Sequence, residues 1–183
     1  MSKSVAVITG ASQGIGQATA IRLTRDFSAL VLVARNRAKL EETAEAAKAA
    51  GAEVLVIDAD LARPDAAQAV VDQALARFGR VDALLNIAGA VPQIDLFEMN
   101  DEQWDAGLAL KLHGARRLTV AAWPALKAAG GSVVLMSGNS ALFPKRLVGR
   151  SERSTRQSWR SPKPFPTAAS PRACRSTACC QDR

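Results

Sequence analysis

Hydrophobic residues in this chain gather in five short continuous runs: SVAVIT (4–9), ALVLVA (29–34), AEVLVI (52–57), VDALLN (81–86) and SVVLM (132–136). Runs of this length, rich in Val, Leu and Ile, predict strands buried on both faces. The stretches between them, roughly 14–27, 37–50, 64–78 and 103–129, carry helical spacing. Pro64 suits the first turn of the third helix and Gly79 its end, while Gly51 and Gly130-Gly131 close two others. In the last helix Trp104, Leu108, Leu112 and Ala115 fall on one face, which predicts a core position for Trp104, and Pro124 predicts a kink or break. Strands alternating with helices at this spacing imply right-handed crossovers and a doubly wound α/β fold with a parallel sheet. Such folds bind ligands beyond the carboxyl ends of the strands, so the residues just after each run are the place to seek chemistry.

At 183 residues the chain is of single-domain size. Its formal net charge of +7 would point to nucleic acid or an anionic surface if it were spread over the fold. It is not spread: residues 1–144 hold 14 Lys and Arg against 15 Asp and Glu, and residues 145–183 hold 10 against 2. The three cysteines, Cys174, Cys179 and Cys180, also lie in that basic tail, with no His or second spaced pair to complete a metal site. The N-terminus passes from Met1 directly into a strand-like run, and no window reaches 18 uninterrupted apolar residues. A soluble, cytoplasmic protein without a membrane partner is the expectation.

After the first run comes Thr9-Gly10-Ala11-Ser12-Gln13-Gly14-Ile15-Gly16. Glycines here allow a tight turn, close backbone approach to a pyrophosphate, and tight packing of helix on strand; the helix N-terminus then offers free N–H groups and a positive dipole end. The spacing Gly-x-x-x-Gly-x-Gly resembles the short-chain dehydrogenase/reductase family. Asp60-Leu61 after the third strand and Asn86-Ile87-Ala88-Gly89 after the fourth are similar to two further motifs of that family, the latter with Ile87 in place of a second Asn. The resemblance spans residues 4–144. It implies a Rossmann-like sheet of five parallel strands in the order 3-2-1-4-5, lacking the family's last strands. It also implies a cofactor site made of Gly10, Ser12, Gln13, Gly14, Ile15, Gly16, Arg35, Asn36, Asp60, Leu61, Asn86, Ala88 and Gly89. At the end of the second strand, an acidic residue at Ala34 would accept from the ribose hydroxyls of NAD, whereas Ala34 followed by Arg35 suits the 2′-phosphate of NADP. NADP(H) is the expected cofactor, with NAD as the second possibility; the alternative reading of Arg35 is a solvated loop charge.

Family chemistry moves a hydride between nicotinamide and a carbonyl or alcohol, using a Tyr acid/base, a Lys four residues later, a Ser and a helix Asn. This chain contains no Tyr. By position the Asn falls on Lys111 and the Ser on Gly138, flanked by Ser137 and Ser140, so the catalytic candidates are Lys111, Ser137 and Ser140. Ser137 and Ser140 have an equally good reading as local backbone partners at a strand end. His113, two residues beyond Lys111, is expected to pack or meet solvent. The resemblance therefore implies an NADP-dependent oxidoreductase for small carbonyls or alcohols that is impaired in turnover. It leaves oligomerisation open, because the family assembles through later elements.

From Lys145 onward, Leu147 and Val148 are the last Leu and Val, and Arg, Ser, Pro, Ala and Cys fill the rest. A segment so poor in apolar residues is expected to be disordered. Residues 1–144 then form the dinucleotide-binding domain and 145–183 a basic tail. A rival reading makes the chain a non-catalytic NADP-binding regulator whose tail contacts nucleic acid, although the tail lacks regular basic spacing or interleaved aromatics. A third reading is out-of-frame translation from about residue 146. With codons chosen to suit, Ser154–Phe165 and Ala173–Arg183, shifted by two nucleotides, read in one frame as an amphipathic helix and then a strand with a Pro-Gly loop. In that frame the codon at the family's Lys position cannot encode Lys, and the codon four earlier cannot encode Tyr.

Overall fold

The computed structural model describes residues 4–89, 94 and 97–138; Ser140 and the tail from Lys145 lie outside the described residues. Val5–Thr9 (β1), Ala29–Ala34 (β2), Glu53–Asp58 (β3), Ala83–Asn86 (β4) and Ser132–Leu135 (β5) form one sheet in the order β3-β2-β1-β4-β5. Every pairing is parallel, with Val5 opposite Ala29, Ala6 opposite Ala83, Ala29 opposite Glu53 and Ala83 opposite Ser132. The helices are Gly14–Leu23 (α1), Arg37–Ala49 (α2), Ala66–Phe78 (α3), Asp101–Leu108 (α4) and Ala115–Ala129 (α5). This is the doubly wound architecture that the alternation of runs implies.

Alternation of side chains along β1, β2 and β4 sorts the core into two layers. Val5, Val7, Val31, Val33 and Leu84 pack with Val70, Val71 and Ala74 of α3 and Leu118, Ala122 and Leu126 of α5. Ala6, Ile8, Leu30 and Leu32 face the other way, onto Ala20 of α1 and Leu40, Ala44 and Ala47 of α2. Strand ends are tied as well: Asp82 accepts from the Val5 N–H at 2.8 Å and from Arg80 Nε at 2.9 Å, fixing the entry to β4 beside the start of β1.

Several sequence expectations change. β1 and β2 are buried on both faces, but β3 and β5 are edges and only partly covered, because each has a single strand neighbour among the described residues. α1 stops at Leu23 rather than 27, and Pro64 lies two residues ahead of Ala66, where α3 begins. The stretch expected as one helix over 103–129 is α4, a π-helical turn over Ala109–Gly114, and α5. The wider turn shifts the angular register, so the 3.6-residue face drawn through Trp104 and Leu112 does not continue into α5. α5 buries Leu118, Ala122 and Leu126 instead, while Trp104 and Leu112 are 53% and 55% exposed. Pro124 does not break α5. The carbonyl it leaves without a partner belongs to Val120 on the exposed face, where water can take the bond.

Candidate functional site

β2 and β4 flank β1 on opposite sides, and the chain leaves them toward opposite faces of the sheet; a crevice therefore opens at the carboxyl end of β1. It is a cleft of about 930 Å3, walled by the glycine loop and the start of α1, the segments after β2 and β3, and Ile87–Gly89 after β4. Of the residues expected to hold a cofactor, Gly10, Ser12, Gln13, Gly14, Ile15, Gly16, Arg35, Asn36, Asp60, Leu61, Ala88 and Gly89 all line it. Asn86 does not: it is buried, and its Nδ2 donates to Thr119 Oγ1 at 3.2 Å, linking β4 to α5.

The turn after β1 needs its glycines for two different reasons. Gly10 sits at φ +70, in the left-handed region, with its N–H donated to the Val33 carbonyl at 2.8 Å. At Gly16 a β-carbon would stand 2.1 Å from the Gly10 carbonyl oxygen, so α1 can begin against this turn only without a side chain there. Gly14 is also left-handed, at φ +57, but a β-carbon there would meet nothing within 4 Å; it would project into open space at the head of α1. Gln13 gives α1 no side-chain cap, and the first turn has no acidic residue. The leading N–H groups and the positive helix end thus face a cradle that suits an anionic diphosphate.

Beyond β2, Arg35 makes no hydrogen bond or ion pair within the described residues. Arg37, next but one, is committed to Glu41 at 2.8 Å and Asp58 at 3.2 Å. The hydrogen bond to Glu41, then the charge of Asp58, raise its pKa above the ordinary arginine value. Asn36 caps α2 by accepting from the Lys39 N–H at 3.1 Å, and Lys39 Nζ donates to Gln13 Oε1 at 3.2 Å, tying this corner to the glycine loop. Past β3, Asp60 Oδ1 accepts from the Ala62 N–H at 3.0 Å, which holds the carboxylate at the cleft edge.

Thr9, Arg37, Lys39 and Leu110 belong to the site's construction but were not among the sequence candidates. Thr9 is buried at the end of β1; its hydroxyl accepts from the N–H groups of Ile87 and Ala88, both at 3.0 Å, and donates to the Leu85 carbonyl at 3.3 Å. That clamp sets the β4 segment against the glycine loop. A hydroxyl at the last strand position before a glycine turn is the signal that marks it. Nothing local marks Lys39 or Leu110, which reach the cleft through the capping of α2 and the π-helical turn.

The catalytic candidates are dispersed differently. Lys111 lies on the π-helical turn with its side chain across Gly89: a β-carbon on Gly89 would be 3.0 Å from Lys111 Cδ and 3.3 Å from Nζ. Partial burial lowers its pKa from the ordinary lysine value. Ser137 is exposed just after β5, His113 is exposed, and no cluster of His, Cys, Asp or Glu suited to a metal occurs among the described residues.

A parallel 3-2-1-4-5 sheet with this glycine turn defines a Rossmann-like nucleotide-binding protein, and the sequence model of the short chain dehydrogenase family matches residues 4–149. The chain belongs to that family. It is 38% identical over 140 residues to 11-beta-hydroxysteroid dehydrogenase 1A of Arabidopsis thaliana, an alignment covering 75% of this chain and 40% of the relative. Among solved structures, a metagenomic short-chain oxidoreductase in complex with NADP is 38% identical, with a TM-score of 0.71 over 75% of this chain and 63% of that one. L-Sorbose reductase from Gluconobacter frateurii, complexed with NADPH and L-sorbose, is 34% identical with a TM-score of 0.75, covering 80% of this chain and 56% of that one. The chain thus spans less than half of that plant relative. No helix among the described residues is long and apolar enough to cross a membrane.

Proposed function

We propose that the cleft binds NADP(H), and that the chain is an oxidoreductase of the short-chain dehydrogenase type with little or no turnover of its own. The observation that carries the first part is the convergence, in one crevice, of an uncapped helix N-terminus behind an open Gly14 and a guanidinium at Arg35 that no described residue neutralises. The diphosphate lies on the N–H groups at the head of α1. Arg35 takes the 2′-phosphate, with Lys39 adding positive charge from the same side, and Asp60 and Leu61 border the adenine. NADP and NADPH in the two solved relatives, at 34% identity or more over the same elements, support this choice, and NAD remains the second cofactor.

When bound, such a cofactor supplies or accepts a hydride at its nicotinamide ring. Turnover also needs a proton donor or acceptor at the reacting carbonyl or alcohol. The chain has no Tyr, Lys111 stands where the family resemblance calls for Asn, and Ser137 is exposed. No described residue takes over the acid/base part, so substrate reduction should be slow or absent. The site is assigned to residues 1–144, with 145–183 outside it.

Titration of the purified full chain with NADPH and NADH tests the reading. Saturable binding that favours NADPH, lost in Gly14→Asp, is the expected result, because the new carboxylate would enter the diphosphate cradle. A panel of aldehydes and ketones should then show no cofactor consumption. Absence of saturable binding to a chain whose circular dichroism shows an intact sheet would overturn the assignment, and Gly14-dependent turnover would overturn the impairment.

A further inference from the structure

We propose that Lys111 sets which redox form the cleft prefers: its ammonium, lying across Gly89 at the β4 end, disfavours NADP+ and leaves NADPH favoured. The inference rests on the NADP(H) reading above. The order of groups along a dinucleotide fixes the geometry. With the 2′-phosphate at Arg35 beyond β2 and the diphosphate at the head of α1 beyond β1, the nicotinamide half extends toward Ile87–Gly89 beyond β4. Gly89 lines that end, and Lys111 Cδ and Nζ would stand 3.0 and 3.3 Å from a β-carbon on it. Leu110, the preceding residue on the π-helical turn, also lines the cleft.

The oxidised nicotinamide ring carries a formal positive charge and the reduced ring carries none, while the rest of the molecule is the same. A fixed cation at this end therefore acts differentially on the two forms. Among the described residues Lys111 makes no ion pair, and no described carboxylate offsets its charge. Its side chain is partly buried, and the loss of water around it lowers its pKa from the ordinary lysine value. Two unit charges about 8 Å apart at an effective dielectric of about 30 change an affinity by about tenfold. Position, not the amine's reactivity, produces the effect: Lys111 is a specificity-determining residue, and a neutral side chain of the same length should abolish it.

The test measures Kd for NADP+ and NADPH with the full chain, its Lys111→Met variant and its Lys111→Arg variant, at neutral pH and fixed salt. Adenosine 2′,5′-bisphosphate, which lacks the nicotinamide half, serves as the probe of the rest of the cleft. The ratio of the NADP+ Kd to the NADPH Kd should fall by about tenfold in Lys111→Met, through tighter NADP+ binding, and stay near the wild-type value in Lys111→Arg. The bisphosphate should bind all three chains alike. An unchanged ratio in Lys111→Met, with NADPH still bound, overturns the role of Lys111 and leaves the cofactor assignment standing. A parallel loss of bisphosphate binding would show a structural effect and overturn it too. Failure of the wild-type chain to bind either form overturns the cofactor reading, and this inference with it.

Discussion

β1 and β2 bury almost every residue and have a strand on each side, and the turn between β1 and α1 is held by backbone bonds to Val33. β5, four residues long, has one strand neighbour among the described residues and leaves Leu135 51% exposed; nearby α4 and α5 expose Trp104, Val120 and Trp123. The half that forms most of the cleft draws its glycines, cap and cations from one continuous stretch, residues 9–39, with Asp60, Leu61 and Ile87–Gly89 completing the walls. The half around β5 rests on a single strand neighbour among the described residues and on helices with exposed aromatic and aliphatic side chains.

The largest effect is expected where the first half is tightest. Gly16→Val forces a branched side chain into the space where even a β-carbon would lie 2.1 Å from the Gly10 carbonyl. Backbone cannot yield there without moving the start of α1, so a loss of about 4 kcal/mol or more is expected, with no cooperative unfolding transition remaining in urea. NADPH binding should disappear with it. A variant that unfolds at the wild-type urea midpoint would show that the turn is looser than the geometry states.

Smaller, and aimed at the comparison itself, is the pair Leu32→Ala and Leu135→Ala. Leu32 is fully buried at the centre of the sheet against α1 and α2, whereas Leu135 is half exposed at the edge. The same truncation should cost about 2–5 kcal/mol at Leu32 and under about 1 kcal/mol at Leu135, measured as a difference in urea unfolding free energy. Equal costs would mean that β5 is covered as well as β2 is, and the contrast between the halves would fail.

That contrast also explains what was legible in the sequence. Continuous aliphatic runs and the glycine spacing are local signals, so the strands, and through the family resemblance their order and twelve of the residues that line the cleft, could be read from the chain. Trp104 falls outside the expected face because that face assumes a uniform helix, and nothing in ALKLHG announces a π turn; the turn ends at Gly114, which packs so closely that a β-carbon would lie 2.6 Å from the Leu61 carbonyl. Asn86 was placed in the cleft by its motif, but its side chain is spent on Thr119, a contact across 33 residues that no local pattern encodes. Lys39 was missed for a similar reason: its route to the cleft passes through the Asn36 cap and Gln13.

An effect smaller than that of the Leu32 truncation is expected at the seam between the halves. Thr9 Oγ1 takes the N–H groups of Ile87 and Ala88, both at 3.0 Å, from a buried position at the end of β1. Thr9→Val keeps the shape and removes the acceptor, and Ile87 retains only its contact with the Leu85 carbonyl at 3.1 Å. Leaving the partly buried Ala88 N–H without its partner costs about 1 kcal/mol, and Thr9→Ser, which keeps the hydroxyl, should recover most of it. Because the clamp positions Gly89 beneath Lys111, Thr9→Val should also weaken NADPH binding more than adenosine 2′,5′-bisphosphate binding. Equal weakening of the two ligands would mean that Thr9 supports the fold as a whole and does not join the nucleotide grip to the β4 end of the cleft.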